Sequence, residues 1–527
     1  MSITYPVYGH PGVYVSETLS GPSPSATSVS PSTAAMVGEH WRGPSVPVLC
    51  SSWSDFVTFF GGFNPNPVPV LANPYLAPSA YQFFANGGQQ LWVGRIGASA
   101  QPGASASVNL VDSQATPVPT LSLTAGVLGI VGNPGSWGNN LYVDVIPGAS
   151  GRFSLNLYWG GVGAQYMVEQ WYDLSMSPSD SRYAVNLINS KTAGSVWVVA
   201  TDLNDPAVAP NNTPTGVLGR SFTGGADPSD PATSDYVAAL TYGNPGIFDL
   251  VVGPLNVAIP GVTSASSVGG LLGYAEDRPY TFAVVDPPSG QTPAGAVSYA
   301  EGLAPVTPDA AVYYPWVYAS DPKSGNPQST LLLPPSPFVL GQMATTDRSV
   351  GVWRAPAGLS TALTNVVGCE RRLSSADQTS LTQAHVNALL TRPTGDVVIW
   401  GTRTLESGYA DMYVPVRRTL NYIEYYLEHL LQFAVFQAND EVLWTTITAT
   451  CDSFLNGMFV QGAFAGTTAA QSYYVTCDST VNTPQLVSQG VVTTLVGVAL
   501  QYPAEFISLK VAQFQGTQQT VVTPVAA

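Results

Sequence analysis

Glycine and proline interrupt this chain along its whole length, with 51 glycines and 44 prolines among 527 residues. Because both residue types favour turns and end helices, they limit the chain to short strands and short helices joined by many turns. One hydrophobic core rarely organises so many residues, so two to four domains are expected. The hydrophobic content of 45% is sufficient for sizeable cores and argues against global disorder.

Charged residues are scarce in this chain. They make up 9% of the sequence, against about 25% in ordinary soluble domains. A surface so poor in charge suggests that much of it is covered, for example by copies of the same chain. The net charge of −16 argues against nucleic acid or an anionic membrane as a partner, because phosphate contacts need clustered Lys and Arg. No direct membrane insertion is expected, since no apolar run approaches the roughly eighteen residues of a span.

The cysteine pattern indicates the compartment. Cys50, Cys369, Cys451 and Cys477 lie far apart, and no CxxC motif occurs. A disulfide framework would be denser, so buried thiols in a reducing compartment are predicted. Residues 1–20 show no signal-peptide pattern. The protein is therefore expected to be made and folded in a cytoplasm.

Composition and periodicity divide the chain into successive segments. Composition shifts near Ala98, and alternating apolar residues with frequent glycine then predict an inserted, mostly β domain that ends near Phe222. Farther on, apolar runs flank helical stretches, as in βαβ units with parallel strands. The predicted segments are an N-terminal arm and linker (1–32), the first part of a core (33–97), the inserted β-rich domain (98–222), an α/β domain (223–400), a C-terminal α+β domain (401–503) and a C-terminal arm (504–527). We therefore predict a multidomain α/β and α+β fold whose core holds a βαβ-type sheet.

Two carboxylates are the best enzyme candidates: Asp286, at the end of an apolar strand in VVDPP, and Asp321 in YASDPKSG. Carboxylates at strand ends can form an acid–base pair in α/β enzymes. The alternative, that each Asp stabilises a turn before proline, is favoured because no nucleophile or base accompanies them. The four histidines are too scattered for a metal site, and no phosphate-binding glycine loop occurs. We therefore predict no catalytic residue, no cofactor and no metal.

The most regular helical pattern covers residues 419–435. One face carries apolar residues at helical spacing: Leu420, Ile423, Leu427, Leu430, Leu431 and Ala434. A polar stripe lies opposite, made of Asn421, Glu424, Tyr425 and Glu428. Arg417 and Arg418 come at the start of this helix, where the helix dipole disfavours cations by about 0.3–1 kcal/mol. We therefore expect partner carboxylates to compensate the arginine pair.

Several stretches of the chain match one known family in that family's order. They are PGVYVSE (11–17), FFANGGQQLWVGRIG (83–97), GNPGSWGNNLYVDV (132–145), YYPWVYASDP (313–322), PPSPFVLGQMATTDRSVGVWRAPAG (334–358), WGTRTL (400–405), YVPVRRTLNYIE (413–424) and PAEFISLKVAQ (503–513). Together they resemble the contractile tail sheath protein of long-tailed bacteriophages. The resemblance covers most of the chain.

This resemblance implies a structural subunit and no enzyme. Sheath subunits polymerise as stacked, usually sixfold, helical rings around an inner tail tube, and contraction drives the tube through the host envelope. The implied partners are other copies of the chain, the tube protein, and baseplate and tail terminator proteins. The implied location is the contractile tail of a virion, assembled in the bacterial host cytoplasm. The alternatives are the sheath of a phage-derived bacteriocin or injection device, and an α/β enzyme using Asp286 and Asp321.

The resemblance also implies that both arms add strands to sheets of neighbouring subunits, which would complete the C-terminal domain. A strand as short as the N-terminal one needs a sheet edge to join. The residues expected in these inter-subunit strands are Val13, Tyr14 and Val15 in the N-terminal arm and Phe506, Ile507, Leu509 and Val511 in the C-terminal arm.

In sheath proteins a helix of the C-terminal domain contacts the tube, which suggests a role for the helix at 419–435. The residues expected to contact the inner tube or the adjacent subunit are Arg417, Arg418, Asn421, Glu424, Tyr425 and Glu428. The alternative is an ion pair within the domain, between the arginines and Asp440 or Glu441. The sequence leaves both open.

Overall fold

The computed structural model describes residues 32–63, 71–203, 212–243, 246–324, 326, 328–408 and 412–506. The strands of these residues are, in chain order, β1 (Ala34–Gly38), β2 (Val48–Cys50), β3 (Leu91–Arg95), β4 (Ser107–Val111), β5 (Pro119–Ala125), β6 (Leu141–Pro147), β7 (Phe153–Trp159), β8 (Met167–Leu174), β9 (Val198–Asp202), β10 (Val217–Ser221), β11 (Leu255–Ala258), β12 (Thr281–Val285), β13 (Ala310–Tyr314), β14 (Val317–Ser320), β15 (Thr330–Leu333), β16 (Val366–Cys369), β17 (Val386–Thr391), β18 (Val397–Trp400), β19 (Tyr473–Thr476) and β20 (Leu495–Val498). The helices are α1 (Trp53–Phe60), α2 (Leu76–Ala85), α3 (Ala184–Ile188), α4 (Thr233–Ala239), α5 (Ala265–Asp277), α6 (Pro293–Glu301), α7 (Ser336–Ser349), α8 (Ser375–Gln383), α9 (Val414–Leu430), α10 (Glu441–Val460), α11 (Ala469–Ser472) and α12 (Pro484–Ser488).

An eight-stranded sheet organises the core, in the order β18-β17-β13-β12-β11-β1-β3-β2. Its interior strands are parallel, and the edge strands β18 and β2 are antiparallel to their neighbours. The short apolar strands β1, β12 and β13 are buried on both faces, as parallel strands covered by helices usually are. Helices α1, α2 and α7 contribute to the hydrophobic cluster on one face, and α4, α5, α6 and α8 to the cluster on the other.

Residues between β3 and β11 form two antiparallel sheets, β4-β5-β9 and β10-β6-β7-β8, around a separate hydrophobic cluster. The segments that enter and leave this region run side by side, with Ala104 bridged to Ala226. Trp41, just after β1, packs into the same cluster. The Arg42 guanidinium lies over the rings of Trp137 and Trp197, at 4.6 and 4.2 Å from their centroids. The inserted sheets are therefore packed firmly against the core.

The C-terminal part consists of α9, α10, two short helices and the two-stranded sheet β19-β20. The second half of α9 contributes Ile423 and Leu427 to a hydrophobic cluster with Ile447 and Phe454 of α10. Asp440 begins α10 by accepting hydrogen bonds from the N–H groups of Val442 and Leu443 at 3.1 and 2.9 Å, an ordinary N-cap.

The prediction of a mixed α/β fold is confirmed. All four cysteines are free thiols; Cys50, Cys451 and Cys477 are buried and Cys369 is half-buried. Within the described part of the chain, no helix combines the length and apolar character that a bilayer crossing requires.

Candidate functional site

Helix α9 joins the C-terminal part of the chain to the central sheet. Its first residues, from Val414 to Thr419, are buried. The helix starts across the amino ends of three parallel strands: Arg418 Nε donates to Asn256 Oδ1 of β11 at 2.9 Å, and Asn421 Nδ2 donates to the Thr281 carbonyl of β12 at 3.3 Å. Asn421 Nδ2 also donates to Asp309, directly before β13, at 3.0 Å. The start of α9 is thus a polar docking point between two parts of the molecule.

Arg418 forms a bidentate ion pair with Asp347 of α7. The Nη1–Oδ1 and Nη2–Oδ2 distances are 3.0 and 2.5 Å, and the exposed fractions of the two side chains are 3% and 0%. Burial raises the pKa of Asp347, and the charge of the Arg418 guanidinium opposes that rise. The pair is buried, and two parallel hydrogen bonds join the guanidinium to the carboxylate. Removing either side chain would therefore leave an uncompensated charge in the interior.

Arg417 is held by side chains on both sides of the docking point. Its guanidinium donates from Nε and Nη2 to Asn421 Oδ1 at 2.9 and 2.7 Å. Asp309 lies 3.2 Å away and Glu424 lies 3.6 Å away, both within ion-pair distance. Carboxylates therefore compensate both arginines at a helix start that disfavours them.

The sequence-based assignment of the arginine pair needs a correction. The compensating carboxylates are Asp309, Asp347 and Glu424, and Asp440 is occupied as the N-cap of α10. Arg417, Arg418 and Asn421 are buried within the subunit. Their side chains have almost no surface to offer a tube or a neighbouring subunit, so that contact is wrong for these three residues. The reason is that α9 starts at Val414, five residues before the predicted residue 419. Its first turns therefore lie buried at the amino ends of the strands of the central sheet.

The remaining members of the polar stripe, Glu424, Tyr425 and Glu428, are partly exposed. Tyr425 and Glu428 line a surface cavity of about 280 Å³. The Tyr280 hydroxyl donates to Glu428 Oε2 at 2.5 Å, and the exposed Val252 lines the same cavity. These three residues of the stripe are accessible to a partner.

The predicted arm residues fall mostly outside the described residues: Val13, Tyr14, Val15, Ile507, Leu509 and Val511. Phe506 is described and is 79% exposed, and no strand includes it. The sheet β19-β20 of the C-terminal part has only two strands. Among the described residues no further strand pairs with either of its edges, and only a single bridge, between Phe464 and Leu500, follows β20. Edges of this kind can accept a strand from another chain.

The two enzyme candidates have separate structural roles. Asp286 accepts from the Ser336 N–H and hydroxyl at 2.8 and 2.6 Å and from the Gly261 N–H at 3.2 Å. It therefore fixes the start of α7 beneath the end of β12. Asp321 lies in the turn between β14 and β15, where it accepts from the Lys323 N–H at 2.9 Å. The two residues end strands of different sheets. Among the described residues, no cluster of three or more His, Cys, Asp or Glu side chains could hold a metal ion.

Asp286 makes a testable contribution to pH dependence. Burial raises its pKa to about 7, and the bonds from Ser336 and Gly261 oppose the rise. Since the folded-state pKa lies above the unfolded value, protonation favours the folded state, and this contribution is lost as pH rises from about 4 through 7. We expect the difference in unfolding free energy between the parent and Asp286→Asn to shrink by up to a few kcal/mol between pH 5 and pH 8. Urea denaturation at both pH values measures it.

The comparison of parent and variant removes a second, opposite effect. The buried His40 has a pKa lowered to about 3, chiefly by burial, so its contribution is lost as pH falls below about 6.5. His40 is common to both proteins and cancels in the difference. A difference that is the same at pH 5 and pH 8 would show that Asp286 does not change its protonation between them.

No protein-family model matches the sequence, and comparison with curated proteins gives no match either. Solved structures do match over nearly the whole chain. The contracted helical sheath of the anti-feeding prophage is 21% identical with a TM-score of 0.54, covering 96% of this chain and 100% of that one. The fold is that of contractile sheath proteins. The contracted sheath of an extracellular contractile injection system is 19% identical with a TM-score of 0.54, covering 97% and 99%.

The sheath fold also extends to a sheath tail protein from Listeria innocua. That protein is 13% identical with a TM-score of 0.57, and the match covers 92% of this chain and 96% of that one. Because these matches leave little of either chain uncovered, the inserted sheets and the C-terminal part fall within the shared region as well as the central sheet.

Proposed function

We propose that this chain is the structural subunit of a contractile sheath. It polymerises as stacked, sixfold helical rings around an inner tube, and contraction drives the tube through an envelope. The observation that carries this proposal is the match to sheath structures over 96% and 97% of the chain. The scarcity of charged residues, 9% of the sequence, fits a subunit whose surface is largely covered by its neighbours.

The two-stranded sheet β19-β20 supports the proposed linkage by arms. An isolated pair of strands is marginal in stability and gains from further strands. Residues 12–17 and 506–514 of neighbouring subunits would supply them, each forming main-chain hydrogen bonds along an edge. Such heterologous contacts generate open helical polymers. Subunits joined in this way stay linked while they rotate during contraction.

The polar docking point at α9 supports rigid-body movement of the subunit. The buried contacts of Arg418 and Asn421 tie the C-terminal part to α7 and to the starts of β11 and β12. Rearrangement during contraction would then occur between subunits, where two packings of one sequence can differ by a few kcal/mol. Contraction requires no nucleotide, because the energy that drives it is stored in the polymer when the polymer assembles.

The proposed partners are other copies of this chain, the inner tube protein, and baseplate and tail terminator proteins. The accessible residues of the stripe, Glu424, Tyr425 and Glu428, are proposed to contact the tube or the adjacent subunit. The proposed location is the contractile tail of a virion, assembled in the bacterial cytoplasm. The resemblance to the anti-feeding prophage and to an extracellular injection system favours a second candidate, the sheath of a phage-derived injection device. Capsid and terminase genes beside the coding sequence would favour the virion.

We further propose that the protein has no catalytic activity, because the hydrogen bonds of Asp286 serve the start of α7. Electron microscopy of the purified full-length protein tests the proposed function. Tubes or stacked rings are the expected result. Dispersed monomers at all concentrations, together with a hydrolytic activity lost in Asp286→Asn, would support the enzyme instead.

The inserted sheets are proposed to lie on the outside of the polymer. Since Ala104 and Ala226 pair where this region begins and ends, a short Gly/Ser linker can replace residues 98–222. Trp41→Gln should accompany the replacement, because the Trp41 ring packs against the removed part. We expect ring stacking to persist with less than about a tenfold change in the protein concentration required, measured by sedimentation. Protease cleavage of assembled tubes at α9 with residues 98–222 protected would contradict this location.

A further inference from the structure

The described residues that follow β20, from 499 to 506, belong to no helix or strand, yet their side chains contact the rest of the protein at successive positions. The Gln501 side chain donates to the carbonyls of Gly462 and Phe464 at 2.8 and 3.0 Å. The Tyr502 ring packs edge-on against Tyr413, with centroids 6.1 Å apart. Glu505 then forms an ion pair with Arg403. The chain is thus guided from the C-terminal sheet back to the central one.

Three hydrogen bonds join the guanidinium of Arg403 to the carboxylate of Glu505. Arg403 Nε lies 3.1 and 3.0 Å from the two carboxylate oxygens, and Nη2 lies 2.5 Å from Oε2. The Tyr413 hydroxyl donates to the same Oε2 at 3.3 Å. Only about one seventh of each charged side chain is exposed, at 14% and 15%. Such a pair is stronger and more directional than a surface salt bridge.

Contacts with the core fix the position of Arg403 independently of Glu505. Its backbone N–H donates to Asn387 Oδ1 at 2.6 Å, and Asn387 Nδ2 donates to the Val312 carbonyl of β13 at 3.1 Å. Its Nη1 donates to the Thr382 carbonyl of α8 at 3.1 Å. The position of Glu505 is therefore set by β13, β17 and α8.

We propose that Arg403, Tyr413 and Glu505 form an arm-root clamp that fixes where and in which direction the C-terminal arm leaves the subunit. This inference rests on the proposed function, since the arm is the segment that links subunits. A fixed root shortens the free tether between a subunit and its neighbour, which raises the effective concentration of the arm at the neighbour's sheet edge. The clamp residues are positioning residues for assembly and need not touch the neighbour.

The test compares Glu505→Gln and Arg403→Lys with the parent protein. Glu505→Gln keeps the shape of the side chain but loses its charge, and Arg403→Lys keeps the charge but loses the planar fork. We expect the protein concentration required for ring stacking to rise about tenfold or more, the factor that the loss of a charge-assisted pair produces. Asp180→Asn, which breaks the comparable Arg152–Asp180 pair at 2.6 Å in the inserted sheets, is the matched control and should leave assembly unchanged.

Proteolysis of dilute, unassembled protein separates the clamp from the proposed function. A protease must draw the residues around its cleavage site into an extended conformation, and the ion pair of Glu505 opposes this next to Phe506. In Glu505→Gln, chymotrypsin should therefore cut after Phe506 at least about tenfold faster, as measured by mass spectrometry, while cleavage within β19 and β20 stays unchanged. Unchanged cleavage after Phe506, or assembly of both variants at the parent's concentration, would overturn the clamp. If the parent itself forms no tubes, the proposed function fails, and the cleavage result still decides whether the clamp exists.

Discussion

Asp347→Ala is expected to lower the free energy of unfolding by about 3–5 kcal/mol, the usual loss when one partner of a buried ion pair is removed. The substitution leaves the Arg418 guanidinium, 3% exposed, without the carboxylate of Asp347, while its hydrogen bond to Asn256 is kept. Urea denaturation of dilute protein, followed by tryptophan fluorescence, measures the change. The transition that loses stability should include the central sheet, because Asp347 belongs to α7.

Two control variants show whether the loss of stability in Asp347→Ala comes from the buried ion pair. Asp173→Ala removes a carboxylate that is 65% exposed and 3.3 Å from Arg152, and it should cost less than about 1 kcal/mol. Replacing both partners, with Arg418→Met and Asp347→Leu, should recover much of the loss, because no unpaired charge then remains buried. If Asp347→Ala costs no more than Asp173→Ala, the docking point does not hold α9 to the sheet.

Removing either arm is expected to abolish polymerisation and leave a soluble, folded subunit. The variants lack residues 1–20 or residues 507–527; the second keeps Glu505 and so leaves the arm-root clamp in place. The lost contacts are intermolecular hydrogen bonds, each worth about 0.5–1.5 kcal/mol, and several act together at every link. Sedimentation of each variant beside the full chain measures the effect.

Single substitutions test the same linkage more finely. Tyr14→Pro and Leu509→Pro should weaken assembly by removing a ladder donor. Tyr14→Ala and Leu509→Ala keep the backbone N–H and should weaken it less, which makes them matched controls. Long tubes from both truncated proteins would show that strands from the arms do not link the subunits.

Local patterns in the sequence predicted much of the fold because they reflect local physics. The strands of the central sheet are short apolar runs, and β12 and β13 fall within runs read as parallel strands. Helix α10 spans Glu441–Val460, because Asp440 caps it and apolar residues repeat along it. Helix α2 ends at Ala85, just before Asn-Gly-Gly in the sequence, where Gly87 adopts a φ of +95°.

Contacts between residues far apart in the chain could not be predicted from the sequence. Arg418 meets Asp347 and Asn256, which lie 71 and 162 residues away, and no local periodicity indicates such partners. Only the pairing of Arg417 with Asn421 had a visible signal, since residues four apart lie on the same helix face. The sequence correctly required carboxylates near the arginines. It offered Asp440 or Glu441 as the partners within the domain, whereas the structure pairs the arginines with Asp309, Asp347 and Glu424.

A cryo-electron microscopy reconstruction of the polymer formed by the purified full-length protein tests the central claim most directly. The account predicts stacked sixfold rings in which residues 12–17 and 506–514 of two different neighbours lie as strands beside β19 and β20. Closed oligomers that do not stack, or stacked rings whose β19-β20 edges carry no strand from another subunit, would contradict it.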